Sequence, residues 1–165
     1  MSAAGPLRSA LVATAAVLAA VLGAGQLGML AGTPPADLGV HQGRLKAPSA
    51  TPNSVSSQAG LWPGHPMQQA AAIAPLPLRG PPAEAIARLR LVVQAMPGTE
   101  VVTQRSDYLY ARFTTRWLGF VDDAEFWADP ANRVIQVRSA SRLGSSDLGV
   151  NRARIERIRA ALASR

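Results

Sequence analysis

Three carboxylates lie close together in the segment FVDDAEFW, residues 120–127: Asp122, Asp123 and Glu125. The segment predicts a strand, where acidic residues are disfavoured, and alternation puts Asp123 and Glu125 on one face and Asp122 on the other. Paired carboxylates can bind a hard cation or share general acid and base roles, as in a hydrolase. They can also form cross-strand ion pairs with arginines, which we favour because arginines are frequent nearby. The candidate partners are Arg112, Arg116 and Arg138.

A polar loop flanked by arginines follows in RSASRLGSSDLGVNRAR, residues 138–154. We expect Asn151 to be the N-cap of the last helix, which would put Arg152 and Arg154 in its first turn, where the helix dipole disfavours cations. Asp147, together with Asp122 or Asp123, can offset that cost through internal ion pairs with these arginines, the alternative that we favour. The other alternative is an external anion, with candidate ligands Arg138, Arg142, Ser146, Asn151, Arg152 and Arg154.

The rest of the sequence offers no catalytic set. Cysteine is absent, which excludes disulfides and thiolate chemistry, and His41 and His65 lack the spacing of metal ligands. The segment GSSDLG does not match the G-x-S-x-G of serine hydrolases, and no glycine-rich phosphate loop is present. We therefore predict no metal and no cofactor, and we consider an enzyme the less favoured alternative.

Periodic patterns place these polar residues on an α+β framework in residues 81–165. Apolar residues recur at helical spacing after Pro81 and again near the C terminus. They are Ile86, Leu89, Val93 and Met96 in the first helix, and Ile155, Ile158 and Leu162 in the last. Segments of period two between them predict an antiparallel meander of three to four strands, flanked by an N-terminal and a C-terminal helix.

Residues 1–32 predict a membrane segment. Residues 9–36 contain no charge, and the apolar run at 11–30 is just long enough to span a bilayer. We favour an uncleaved anchor over a cleaved signal peptide because the run just reaches the length of a membrane span and has no clear cleavage site. The positive flank at Arg8 and the terminal amine predicts a single-pass inner-membrane protein with its C-terminal domain on the periplasmic or extracytoplasmic side.

Residues 33–80 predict a tether rich in proline, glycine and serine, partly ordered from about residue 45. Ten of the 13 prolines fall in residues 33–82, and proline at this density prevents long helices and central strands. We interpret residues 33–46 as a flexible linker between the membrane and the domain.

Two long segments carry a family resemblance. YLYARFTTRWLGFVDDAEFWAD (108–129) and VIQVRSASRLGSSDLGVNRARIERIR (134–159) resemble an uncharacterised bacterial and plastid family, domain of unknown function 1499. The family pattern runs through FVDD-EF and VRSASR-G-SDLG-NR-R, and the similarity covers about residues 38–159. The family has no established activity, so the resemblance implies kinship and leaves function open.

Charge narrows the choice of function. The net charge is +7, and Lys46 is the only lysine, so the surface cations are arginines, which suit carboxylate and phosphate partners. Nucleic-acid binding conflicts with export, and the basic residues are interspersed with acids. We therefore expect a membrane-anchored, non-enzymatic binding or assembly module that recognises an anionic ligand, a lipid headgroup or an unidentified protein. The alternative is a hydrolase-like enzyme that uses Asp122, Asp123 and Glu125.

Overall fold

The computed structural model describes residues 4–164 and shows an α+β protein. A long helix, α1 (Ala4–Gln26), precedes a segment of irregular and short elements: β1 (Ser54–Ser56), a 3-10 turn (Ala59–Leu61), α2 (Gln68–Ala71) and β2 (Leu76–Pro77). The longer elements follow as α3 (Pro82–Gln94), β3 (Thr99–Gln104), β4 (Tyr108–Thr114), β5 (Val121–Asp129), β6 (Val134–Ser141) and α4 (Val150–Ala163). The predicted fold class is confirmed.

The strands form one antiparallel sheet in the order β1-β6-β5-β4-β3, with β2 also paired to β6. The predicted meander of three to four strands is β3 to β6, but the sheet has six strands, because β1 and β2 join it. The additional strands β1 and β2 have only three and two residues, too few for an alternating pattern to be visible. Both therefore come from the segment in which proline obscured any strand signal.

One face of the sheet packs against α3 and α4 and forms the apolar core. The sheet contributes alternate residues, as the period of two requires, and each helix contributes the apolar stripe predicted from its spacing. Fully buried members of this core include Ile86, Leu89, Val93, Leu109, Phe126, Val137, Ile155 and Ile158. Val55 of β1 belongs to the same core, so the sheet edge formed before residue 81 is part of the packed unit.

The opposite face of the sheet is polar and is covered by residues 37–49. The backbone amide of Gly39 binds Glu125 at 2.6 Å, and the carbonyl oxygen of Ala47 accepts a hydrogen bond from Arg138 at 3.1 Å. Leu45 is buried, and its amide binds the side chain of Gln58 at 2.8 Å. We call residues 37–49 the covering segment.

Helix α1 extends from the domain and touches it only near its C-terminal end. The segment Leu7–Gln26 is the one helix among residues 4–164 that is long and apolar enough to cross a membrane, a criterion that anchors and signal sequences both meet. At Gly25 the backbone packs directly on the β4–β5 loop. A Cβ atom there would lie 2.5 Å from the carbonyl oxygen of Leu118, and one at Gly119 would lie 2.4 Å from that of Gly25. Glycine is therefore required on both sides of this contact.

Candidate functional site

Each carboxylate of the β5 acidic cluster forms an ion pair with one arginine inside the fold. The pairs are Asp122 with Arg154, Asp123 with Arg142, and Glu125 with Arg138. All six side chains are almost inaccessible to solvent. As alternation predicts, Asp122 projects toward the helices, while Asp123 and Glu125 project toward the polar face.

Of the three arginine partners suggested by the sequence, only Arg138 is one. Arg112 lies directly opposite Asp123 in the β4–β5 register but binds Glu100 of β3 at 2.7 Å. Arg116 lies beyond the end of β4 and has no acidic partner among residues 4–164. Arg142, which the sequence did not indicate as a partner, lies in the loop that follows β6. Arg154 lies in α4, and its pair with Asp122 is one of the internal pairs predicted for the start of that helix.

Asp123 is held by two side chains on the polar face. Arg142 binds it with Nε and Nη2, each at 2.8 Å, in the planar two-point arrangement that guanidinium favours. The hydroxyl of Tyr110 donates to the same carboxylate at 2.6 Å. Burial and this bond raise the pKa of Tyr110 to about 12, and the bond to Asp123 raises the pKa of Arg142. These bonds engage both oxygens of the Asp123 carboxylate.

Glu125 and Arg138 form a looser pair beneath the covering segment. Glu125 Oε1 accepts hydrogen bonds from the Tyr108 hydroxyl at 2.8 Å and the Gly39 amide at 2.6 Å. Its other oxygen, Oε2, lies 3.8 Å from Arg138 Nη1, and neither of these two buried atoms has a hydrogen-bond partner. Burial raises the pKa of Glu125, although the donors to its oxygen oppose the change, and burial lowers the pKa of Arg138.

A second polar network joins α4 to the sheet on the core side. Arg154 Nη2 donates to Asp122, and its Nη1 donates to Asn151 at 2.6 Å and to Ser139 at 3.1 Å. The guanidinium also lies 4.4 Å from the ring centroid of Phe113. The guanidinium group of Arg154 therefore has hydrogen-bond partners along its edge and an aromatic ring against its face.

The predicted N-cap at Asn151 is wrong. Helix α4 begins at Val150, and the side chain of Asn151, which is fully buried, binds the Asn53 carbonyl and the Ser141 hydroxyl instead of a helix amide. Asp147 takes the capping role: its carboxylate accepts the amide hydrogens of Gly149 at 3.0 Å and Asn151 at 2.8 Å. Burial opposes ionisation, but these amide bonds hold the pKa of Asp147 below its ordinary value.

Asp147 also has no arginine partner among residues 4–164, contrary to the predicted pairing with Arg152 and Arg154. Arg154 pairs with Asp122, and Arg152 donates to the carbonyl oxygens of Ala70 and Ala72, each at 2.9 Å. The amides and the arginines at the start of α4 therefore have separate partners. Asp147 accepts the amide hydrogens, and two backbone carbonyl oxygens accept hydrogen bonds from Arg152. Sequence proximity was a poor guide because α2 and β5 lie far away along the chain.

The structure therefore gives most candidate anion ligands internal partners. Arg138, Arg142 and Arg154 are buried against carboxylates, Asn151 is buried, and Arg152 binds carbonyls; Ser146 is exposed, and its hydroxyl accepts the amide hydrogen of Leu148 at 3.2 Å. Among residues 4–164, no group of three or more acidic or histidine side chains converges as a metal site would require. The cluster chiefly binds the covering segment, the sheet and α4 to one another.

Several members of these networks were not predicted. Tyr108, Tyr110 and Ser139 hold the charged side chains, and Asn53 and Gly39 contribute backbone groups. A signal for the tyrosines exists, because alternation alone puts them on the face of β4 that adjoins Asp123 and Glu125 once β4 and β5 pair as a hairpin. No local pattern indicates Asn53 or Gly39, whose partners are more than 80 residues away.

Comparison with models of protein families gives a match. Residues 44–162 match the model of a family described as "Protein of unknown function (DUF1499)". No curated protein and no solved structure gives a match. The matched region starts within the covering segment and ends in the last turns of α4, so it includes all three buried ion pairs. The chain belongs to the DUF1499 family.

Proposed function

We propose that the chain is a single-pass, membrane-anchored binding or assembly module whose domain lies on the extracytoplasmic side of the inner membrane. The observation that carries this proposal is the reciprocal contact of Gly25 and Gly119. An apolar helix that ends in a specific backbone contact with the domain behaves as a part of the folded protein. A signal peptide that is removed has no need of such a contact, which supports retention of α1.

The buried ion pairs support a non-enzymatic role. A general acid, a general base or a metal ligand must reach its substrate or ion, and Asp122 and Asp123 are occupied by arginines and closed to solvent. Buried polar side chains whose hydrogen bonds are satisfied internally make the core rigid and favour a single packing arrangement. In this proposal the exposed surface of the domain binds the ligand or partner.

The topology can be tested with single cysteines, because the native sequence contains none. Leu61, which is exposed in the 3-10 turn, can be changed to Cys in the full chain and produced in a bacterial host. We expect a membrane-impermeant maleimide to label it in intact spheroplasts and the chain to stay in the membrane after carbonate washing. Labelling only after lysis would overturn the orientation. A mature protein that lacks residues 1–31 would overturn the anchor and leave export intact.

A hydrolase-like enzyme is the second candidate, and Glu125 is the observation that favours it. Its pKa is raised, one of its oxygens has no donor, and it lies beneath the covering segment. If the acidic cluster bound a catalytic cation, calcium or magnesium would raise the melting temperature of the wild-type chain and not that of Glu125→Gln. For the binding module that we propose, neither cation changes either melting temperature.

A further inference from the structure

We propose that one end of the domain is a lipid-docking surface that rests on the headgroup region of the membrane crossed by α1. This surface consists of the β4–β5 loop (115–120), the β6–α4 loop (142–149) and the exposed arginines beside them. Its apolar side chains enter the bilayer interface, and Arg116 and Arg157 bind lipid phosphates. The inference rests on the membrane attachment proposed above and adds to it the residues and the ligand chemistry.

The position of α1 selects this end of the domain. The amide group of Gln26, the last residue of the apolar segment, donates to the carbonyl oxygens of Arg116 at 3.0 Å and Trp117 at 2.9 Å. The 20 residues of Leu7–Gln26 give a helix about 30 Å long, which matches the hydrocarbon thickness of a bilayer. When α1 crosses the membrane, Gln26 therefore lies at its surface, and the β4–β5 loop lies there with it.

The side chains exposed at this end are those that the interface prefers. Trp117 is 65% exposed, and tryptophan is enriched where the hydrocarbon meets the headgroups. Leu148 is 94% exposed and has a φ of 52°, an unfavourable backbone conformation for leucine. The other exposed apolar side chains near the end of α1 and in these loops are Leu27, Met29, Leu143 and Val150. In water these apolar side chains stay exposed to solvent, which is unfavourable. In a bilayer interface the lipid would bury them.

The two loops are close neighbours in space. A cavity of about 240 Å³ lies between them, lined by Thr115 and Phe120 from one side and by Leu143, Leu148 and Val150 from the other. The chain that leaves α1 also touches the second loop, since a Cβ atom at Gly32 would lie 3.0 Å from Leu143. The apolar side chains therefore form one surface around the end of the helix.

Two arginines supply the charge that anionic lipids require. Arg116 and Arg157 line an open cavity of about 470 Å³ at the same end, and neither has an acidic partner among residues 4–164. Arg116 stacks on the ring of Trp117, with 4.9 Å from its guanidinium carbon to the ring centroid. A cation held beside an interfacial tryptophan lies at the depth of lipid phosphates, where basic residues are attracted to anionic headgroups.

The docking can be tested on the full chain in vesicles of phosphatidylglycerol and phosphatidylcholine. Leu148→Cys and Leu61→Cys each give one attachment site for an environment-sensitive fluorophore, and the two leucines are exposed at opposite ends of the sheet. We expect a quencher near the lipid headgroups to quench the probe at position 148 severalfold more than the probe at 61. Equal quenching in a chain that floats with the vesicles would overturn the docking surface and leave the anchor intact. A chain that does not float would overturn the anchor, and the docking inference with it.

The arginines are tested in the same preparation. In the otherwise unchanged chain, we expect phosphatidylglycerol to increase quenching at position 148 relative to phosphatidylcholine alone. The double change Arg116→Gln and Arg157→Gln should remove this increase. Arg133→Gln is the matched control, because Arg133 is exposed at the opposite end of the sheet and has no acidic partner among residues 4–164. Circular dichroism should show unchanged folds for all variants. A response to phosphatidylglycerol that survives the double change would overturn the phosphate-binding role.

Discussion

At the scale of single residues, Asp123 and Arg142 illustrate what a buried charge requires. Neither side chain is exposed to water. The ion pair between them therefore replaces the hydration that each charge lost on burial. We expect Asp123→Asn to lower the free energy of unfolding by about 3 kcal/mol because Arg142 is left buried without its counter-charge. Glu100→Gln is the control, since its pair with Arg112 is exposed and should contribute less than about 1 kcal/mol.

Urea unfolding of Asp123→Asn, Arg142→Gln and the double variant measures the coupling between the two residues. The double change should cost clearly less than the sum of the single changes. Strict additivity would contradict the pairing.

Asn151 and Asp147 have exchanged the roles that their positions suggested. Asn151→Ala removes an acceptor that Arg154 and Ser139 share in a buried site, so we expect the free energy of unfolding to fall by about 2 to 3 kcal/mol. Asp147→Asn weakens the helix cap and the bond that the carboxylate accepts from the Asn151 side chain at 2.8 Å. It should cost about 1 kcal/mol, because the amide oxygen of asparagine can still accept hydrogen bonds. Chemical denaturation at neutral pH checks this order, and Ser146→Ala, at an exposed neighbour, should change little. An Asp147 variant that is the less stable of the two would contradict it.

The pH dependence of the Asp147 effect has a definite direction. The folded-state pKa of Asp147 is lowered from an ordinary value of 3.8, so its carboxylate stabilises the fold above that pH. The difference in unfolding free energy between wild type and Asp147→Asn should therefore be full above pH 3.8 and disappear as the pH falls through the lowered pKa.

Glu125 should show the opposite pH dependence. Burial raises its pKa above the ordinary value of 4.5, so the folded state holds the proton more tightly than the unfolded chain does. The stability of wild type relative to Glu125→Gln should therefore be greatest below pH 4.5 and decline as the pH rises through the raised pKa. Denaturant titrations between pH 4 and 8 measure this difference, and a difference that grows with pH would contradict the prediction.

At the scale of elements, the long periodic segments were predictable and the short ones were not. The two flanking helices and the meander follow from spacing alone, because each buries one continuous face. β1 is a strand only because β6 offers it an edge, and its three residues carry no pattern of their own. The same limit applied to the charged residues. Alternation assigned Asp122, Asp123 and Glu125 to the correct faces, but the choice of arginine depends on how α4 packs on the sheet.

The contact between α1 and the β4–β5 loop gives a prediction about an element. Gly25→Ala places a methyl group against the Leu118 carbonyl and should separate the helix end from the domain. Gly23→Ala is a matched control in the same helix, since no atom lies within 4 Å of the position of its Cβ. We expect limited proteolysis of the full chain in vesicles to cleave residues 27–36 faster in Gly25→Ala than in wild type or Gly23→Ala. Equal rates in all three would show that the contact does not hold the helix.

At the scale of the whole molecule, the packed unit extends well before residue 81. Its core includes Val55, and the covering segment closes the polar face, whereas α1 contributes nothing to the core. A chain that starts at residue 33 should therefore unfold cooperatively, with a free energy within about 1 kcal/mol of the full chain, because only surface contacts are lost. A chain that starts at residue 58 lacks β1 and the covering segment, and it should show no cooperative transition in urea. A cooperative transition in the shorter chain would contradict this view of the domain.

The pairing of β1 with β6 constrains when the protein can fold. Ser54–Ser56 bonds to Arg138, Ser139 and Ala140, and Ile155 and Ile158 complete the core from the last helix. Nearly the entire polypeptide must therefore be synthesised before β1 can pair with β6 and before α4 can pack on the sheet. The N-terminal third emerges first and has to wait, unpaired, for its partners. Contacts this distant in sequence make folding slow, so we expect the nascent chain to need protection from aggregation until its C-terminal helix is available for packing.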